Sequence, residues 1–368
     1  MEKLTLYPKL IMDALATVIY PGTKKSLVES DMVADQPAIN GMKVKVVLQF
    51  LRDTDPFLKS TVKAAEAAIH YHVSKNVEVE IETEFKSKPR PEVGKMLPQV
   101  KNVVAVSSGK GGVGKSTVAA NLAIALARLG YKVGLLDADI FGPSVPKMFG
   151  VENERPHAVH VDGRDLIAPI CMYGIKLLSI GFFVNPDTAT LWRGGMASNA
   201  LKQLIADADW GELDYLILDT PPGTSDIHLT LLQTLAITGA VIVSTPQQVA
   251  LADARKGVDM YRNDKVNVPI LGLVENMAWF TPAELPENKY YIFGKEGCKL
   301  LAQELGVPLL AQIPIVQSIC ESGDSGAPTA LGDTMTGMAF LNLAQAVVTV
   351  VNRRNASQPP TKIVETHT

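Results

Sequence analysis

The ten residues from Ser108 to Thr117, SGKGGVGKST, restrict the fold of this chain more than any other stretch. The apolar run NVVAVSS leads into them and STVAANLAIALARLG follows, so strand, glycine-rich turn and helix come in that order. Gly109 through Ser116 fits G-x-x-x-x-G-K-S/T, the phosphate-binding loop, in the context that motif requires. Gly109, Gly111, Gly112 and Gly114 carry no Cβ, so backbone N–H groups from Lys110, Val113 and their neighbours can close around phosphate oxygens. The following helix adds its N-terminal partial charge beside Thr117. Lys115 is expected to bridge the β- and γ-phosphates, and Ser116 to hold Mg²⁺. An ordinary glycine-rich turn needs no Lys-Ser pair, so the stretch predicts nucleotide binding.

The same alternation continues downstream. KVGLLDAD, LDYLILDT, GAVIVST, ILGLVEN and VPLLAQIPI are short Val/Ile/Leu runs separated by helical segments such as ADARKGVDMY. Strands apolar on both faces imply burial on both faces, hence an α/β domain with a doubly wound, mostly parallel sheet over residues 100–353. FLNLAQAVVTVV reads as its last helix. Residues 1–85 read differently, as a small α+β domain. Its expected order is a helix in LIMDALATVI, strands in SLVESDMV and INGMKVKVVLQF, a helix in FLKSTVKAAEAAIHYHV, and a strand in VEVEIETEF. Residues 86–99, rich in proline and charge, are the expected linker, and 354–368 an expected disordered tail.

Composition excludes several partners. Thirty-five basic against thirty-eight acidic residues give a net charge of −3, with no basic cluster of the kind that nucleic acid requires. The apolar run AITGAVIVSTP is far shorter than the ~20 residues of a membrane span. MEKLTLYPKL lacks the pattern of a signal peptide. Cys171, Cys298 and Cys320 are odd in number and far apart, which is no disulfide framework and suits a reducing cytoplasm.

Three carboxylates end apolar strands. In LLDADIFGPS, Asp137 and Asp139 stand at i and i+2, so both side chains share one face where a doubly wound sheet meets its ligand. In LDYLILDTPPGTSD, Asp219 closes a Walker-B-like strand and is expected to hold a magnesium-bound water. Asp226 is either functional or a helix N-cap. Asn276 follows PILGLVE and can donate to and accept from an adenine edge, or simply form a turn.

Lys110 makes the loop K-G-G-x-G-K-S. In this the chain resembles the deviant P-loop ATPase class that includes nitrogenase iron protein and the Min and Par proteins. The resemblance implies a homodimer with ATP between subunits. Lys110 would reach the partner's nucleotide, unless it is merely a solvated loop lysine. Asp139 would orient the attacking water, Asp137 would support the magnesium shell, and Asn276 would recognise adenine. Gly223 in TPPGT would present its N–H to the γ-phosphate.

Within that class, LDADIFGPSVP, LWRGGMAS, LDTPPGTSDIHLT and VENMAWF together resemble the Mrp family of iron–sulphur cluster carrier proteins. PGTKKSLVESDMV resembles part of the small iron–sulphur assembly domain that often precedes it. The resemblance implies ATP hydrolysis coupled to cluster transfer, with iron–sulphur apoproteins or assembly factors as partners. One departure stands out. Such carriers place a C-x-x-C pair after the adenine-binding Asn, whereas FTPAELPENKYYIFG contains no cysteine. Clusters are ordinarily held by four thiolates. Cys298 and Cys320 are the remaining candidates, as two thiols from each of two subunits; otherwise the protein is a nucleotide-gated adaptor that ligates no cluster, with a Min- or Par-like positioning ATPase as a third and less favoured reading. Trp279, Phe280, Tyr290 and Tyr291, with Pro282 and Pro286, would make this loop either an interface anchor or a patch pinned to its own domain. His157 and His160 in HAVH read as part of a loop and hairpin rather than a metal site.

Overall fold

A computed structural model describes residues 6–364 apart from 35, 51–54, 56, 86–96, 162, 184–193, 283 and 286. The chain divides into two compact units, Met1–Pro89 and Arg90–Thr368.

The first unit contains α1 (Pro8–Leu15), β1 (Ile19–Tyr20), β2 (Lys25–Ser26), β3 (Ala38–Asn40), β4 (Lys43–Phe50), α2 (Leu58–His72) and β5 (Glu78–Phe85). In β4 the alternate residues Val44, Val46, Leu48 and Phe50 are fully buried against Ile11, Leu15 and Ile69 of the two helices. The other face carries Lys43 and Lys45, ion-paired to Glu80 and Glu82 of the parallel strand β5. The continuous strand expected from INGMKVKVVLQF is instead a hairpin, because Gly41 takes φ +63° and reverses the chain between β3 and β4. SLVESDMV likewise forms no continuous strand: only Ser26 at its start, the end of β2, and Val33, in an isolated bridge, are paired. The Ser26 amide donates to Glu29 Oε2 (3.0 Å) and the Glu29 amide to Ser26 Oγ (3.1 Å), so local bonds replace the ladder.

The second unit opens with β6 (Val100–Ser108), α3 (Lys115–Arg128), β7 (Val133–Asp137) and the short α4 (Val145–Met148). Two hairpins follow, β8 (Ala158–Val161) with β9 (Arg164–Ile167), and β10 (Ile170–Met172) with β11 (Ile175–Ser179). Next come α5 (Gly194–Ala206), β12 (Leu213–Pro222), α6 (Asp226–Thr234), β13 (Gly239–Ser244), α7 (Gln248–Arg262) and β14 (Ile270–Glu275). The last elements are α8 (Gly297–Leu305), β15 (Leu309–Gln312), α9 (Gln317–Asp324) and α10 (Met335–Ser357).

Eight strands form one sheet in the order β10-β11-β7-β12-β6-β13-β14-β15. Every neighbouring pair is parallel except the antiparallel β10–β11 edge. Alternation along β6 shows why the run Val103–Val106 is apolar at every position. Val103 and Ala105 enter the layer beneath α5, α6, α7 and α8, while Val104 and Val106 enter the layer beneath α3 and α10. The sheet is thus the doubly wound, mostly parallel α/β arrangement that the buried runs require. The chain leaves β6 for β7, returns with β12 between them, and continues beyond β6 with β13. That reversal opens a crevice at the carboxyl ends of the strands.

Helix α10 is long and apolar enough to cross a membrane by length and composition. Its stripe of Phe340, Leu343, Val347 and Val351 is nevertheless buried in the core beside α3. The tail expected from residue 354 is corrected by the structure. Helix α10 runs to Ser357, and the Val364 amide bonds to the Leu232 carbonyl at 3.0 Å. Ile363 and Val364 pack on the core, burial that a wholly polar tail would lack. Residues 365–368, most of the expected linker, and the LWR of LWRGGMAS lie outside the described residues.

Candidate functional site

Between the last residue of β6 and the first of α3, the loop turns through Gly112 (φ +78°) and Gly114 (φ +79°), both left-handed. Two glycines are demanded by close approach. A Cβ on Gly109 would sit 2.1 Å from the Asp253 backbone of α7, and one on Gly114 would sit 2.2 Å from Asn276 Nδ2. Gly111 differs: a Cβ there would meet nothing within 4 Å, so protein packing does not explain it, whereas a cradle for phosphate does. Ser108 Oγ donates to the Lys110 carbonyl (2.9 Å) and so braces the loop. The Lys110 side chain is half-buried and makes no ion pair among the described residues.

Lys115 is buried at the centre. Its Nζ donates to Asp219 Oδ1 and, at 3.1 Å, to Ser116 Oγ, and lies 3.9 Å from Asp139 Oδ2. Asp219 and Asp137 are partners in register on the adjacent strands β12 and β7, both with 0% exposure. Burial, and after it the charge of Asp219, pushes the Asp137 carboxyl up to about 8 against the opposing pull of Lys115. Asp137 accepts from Ser179 Oγ (3.0 Å) and from the amides of Asp139 (3.1 Å) and Val145 (3.3 Å). Asp139 is also raised, first by burial. Asp219 is raised by burial, and Lys115 opposes the rise.

Magnesium fits this set. Asp219 Oδ2 is wholly buried with no partner, the orphan acceptor that a magnesium-bound water would satisfy. Ser116 Oγ lies within reach of the same Lys115 ammonium. Asp137, by contrast, already spends both oxygens on protein donors and acts as a support.

Other expected residues fall in different places. Asn276 is buried, and its Nδ2 donates to the Val113 carbonyl at 2.8 Å, so it clamps the phosphate loop from below. The Gly223 amide donates to the Ser108 carbonyl (2.9 Å). Asp226 is exposed in the first turn of α6, and the N-cap is Ser225. His160 Nδ1 lies 2.9 Å from Asp165 Oδ1 across the exposed β8–β9 hairpin, and no metal-ligand cluster occurs among the described residues.

The cysteine expectation is corrected most sharply. Cys298 is fully buried at the start of α8, with its Sγ facing the carbonyls of Ser244 and Thr245 (3.7 Å each) and its amide donating to Glu275 Oε2 (2.6 Å). Burial first, then the Glu275 charge, pushes the thiol far above its ordinary range, so no thiolate is on offer. Cys320 and Cys171 are exposed. The cysteine-free loop is pinned at its base by paired amides of Phe280 and Tyr290 (2.8 Å each) and by Ile315 N–H to Trp279 O (2.7 Å). Its far side stays exposed at Tyr290, Tyr291 and Ile292.

One residue was missed by motif reasoning. His228, buried in α6, accepts at Nδ1 from the Ser225 amide (3.2 Å), which leaves the proton on Nε2. That N–H is buried without a partner. Burial, then the Lys115 charge, lowers the imidazole to about 4, so it is neutral near pH 7. The spacing Ser225-x-x-His228 in a capping position was the available signal.

Comparison with known proteins agrees with this geometry. Residues 99–348 match the family model described as ParA: NUBPL iron-transfer P-loop NTPase. The chain is 42% identical over 324 residues to the iron-sulfur cluster carrier protein of Synechocystis sp., spanning 87% of this chain and 91% of that one. With the iron-sulfur cluster carrier protein of Aquifex aeolicus it shares 50% identity over 264 residues, 71% of each chain. A solved nucleotide-binding protein from Archaeoglobus fulgidus in complex with ADP is 37% identical, with TM-score 0.55, covering 63% of this chain and 89% of that one. The Pyrococcus furiosus cell division ATPase MinD shares the fold at TM-score 0.51 and 23% identity, covering 68% of this chain and 99% of that one. A phosphate loop with buried Lys115 and Asp219, set on this sheet, is what the match predicts, and the chain belongs to the ParA/NUBPL family of iron-transfer P-loop NTPases.

Proposed function

We propose that this protein is a magnesium-dependent ATPase that works as a homodimer in iron–sulphur cluster delivery, in the reducing cytoplasm. The observation that carries the reading is the Lys115–Asp219–Ser116 constellation, with Asp219 Oδ2 open to one more hydrogen bond. The loop amides and Lys115 bind and orient the phosphates. Ser116, with Asp219 through a bound water, would hold magnesium, which would supply charge neutralisation on the phosphates. Asp139, beside Lys115, orients water for in-line attack. Lys110, with no carboxylate partner among the described residues, supplies charge to the nucleotide of the other subunit. Asn276 fixes the loop through Val113 and, through its remaining polar atoms, recognises the base. Hydrolysis removes the γ-phosphate and lets the segment from Gly223 to His228 change partners, which couples nucleotide to client surface.

Iron–sulphur cluster transfer to apoproteins rests on the carrier proteins that this chain resembles. A second reading is favoured by the burial of Cys298: a nucleotide-gated adaptor that docks clients without ligating the cluster itself. Anaerobic reconstitution of the full chain with iron and sulphide separates them, read by visible absorption and iron content. A carrier binds a chromophore that Cys320→Ser removes and Cys298→Ser leaves. A colourless protein that still hydrolyses ATP rejects the carrier reading.

A further inference from the structure

A cleft of about 1140 Å³ lies between the C-terminal segment and the turn that precedes β14. It adjoins Ile270, the first residue of β14, whereas the phosphate loop follows the last residue of the parallel strand β6. The cleft is therefore at the opposite edge of the sheet, on the order of 20 Å away by strand length. Its volume is slightly above the ~300–1,000 Å³ usual for small-molecule sites.

The lining is strongly one-signed. Arg262, Lys265, Arg354 and Lys362 line it, and no Asp or Glu does among the described residues. None of the four forms an ion pair with a described carboxylate. Arg354 is only 6% exposed. Its Nη1 donates to Asn355 Oδ1 (3.3 Å) and its Nη2 to the Pro359 carbonyl (2.6 Å), while its Nε is buried with no partner. Thr361 Oγ1, on the strap that closes the same cleft, is a second buried orphan. The strap is tied at both ends, by Gln358 N–H to the Arg354 carbonyl (2.9 Å) and Val364 N–H to the Leu232 carbonyl (3.0 Å). Leu229, Ile270 and Ile363 add apolar wall. A buried guanidinium without a counter-charge is costly unless an anion compensates it.

We propose that this cleft is a binding site for a small organic polyanion, a ligand bearing two or more phosphate or carboxylate groups, held by Arg354 and the Thr361 strap and separate from the nucleotide site. Burial alone holds the Arg354 pKa below its ordinary value, as expected where the compensating charge comes from a ligand rather than from the chain.

The test is calorimetric titration of the full chain with citrate and, separately, with inorganic pyrophosphate, the phosphate loop being saturated beforehand with magnesium ADP. At least one of the two binds one further equivalent, and which one does identifies carboxylate or phosphate as the preferred head. Affinity falls at least tenfold in Arg354→Gln, weakens as ionic strength rises, and leaves ADP affinity unchanged. Should Arg354→Gln fail to fold, the surface double variant Lys265→Gln/Lys362→Gln carries the same expectation. No heat from either anion, binding undiminished in the double variant, or an equivalent that ADP displaces overturns the proposal.

Discussion

Lys115 Nζ donates to Asp219 Oδ1, while the other oxygen of the same carboxylate is buried and unpartnered. One carboxylate thus steadies the phosphate-binding lysine and keeps an acceptor in reserve. In Asp219→Asn the geometry survives but the charge is lost. Turnover and magnesium dependence should fall by at least a hundredfold, measured as phosphate release against magnesium concentration. Removing that negative neighbour should also lower the Asp137 pKa from about 8, a shift readable by carboxyl NMR.

Lys110 offers a sharper separation of binding from chemistry. Lys110→Ala should keep nucleotide affinity within a few fold and cut hydrolysis by about 10³ or more, as loss of an in-trans charge does. Wild-type turnover in this variant removes the lysine from the mechanism.

Gly109 tests the packing of the loop. A Cβ at 2.1 Å from the Asp253 backbone cannot be accommodated without moving α7 or the loop. Gly109→Ala should destabilise the ATPase unit by roughly 1–3 kcal/mol and abolish nucleotide binding. Gly111→Ala, with open space around it, should leave the Tm unchanged yet weaken nucleotide affinity. Equal affinity in Gly111→Ala would remove that glycine from the phosphate cradle.

His228 sets an acid limit. Its pKa is about 4 in the folded protein against 6.5 unfolded, so the unfolded chain binds the proton first as pH falls. The His228 contribution to stability is therefore lost between about pH 6.5 and pH 4, by at most roughly 3 kcal/mol, while the raised Asp137 carboxyl acts with the opposite sign over the same range. His228→Asn should flatten denaturant midpoints measured across that window. An unchanged slope there shows that His228 does not control it.

Much of this was legible because it is local. The phosphate loop is continuous in the chain, and its glycines and Lys115 declare themselves by spacing. The central residues of strands β6, β7, β12, β13 and β14 are apolar on consecutive positions because both faces are covered. What escaped depends on partners far along the chain. Asn276 clamps a carbonyl 163 residues away. The Gly223 amide is taken by Ser108, and the burial of Cys298 follows from α8 seating on β13 and β14. The C-terminal strap is ordered by two apolar residues in an otherwise polar run, too weak a pattern to outweigh the prolines beside it. SLVESDMV misled because Ser26 and Glu29 satisfy each other's amides, a competition that alternation does not display.

Phosphate release from ATP by the full chain, followed with and without magnesium in wild type and Lys115→Ala, tests the central claim most directly. The account predicts magnesium-dependent release in wild type and loss of both ATP binding and release in the variant. Equal release by Lys115→Ala, or release indifferent to magnesium, would contradict it.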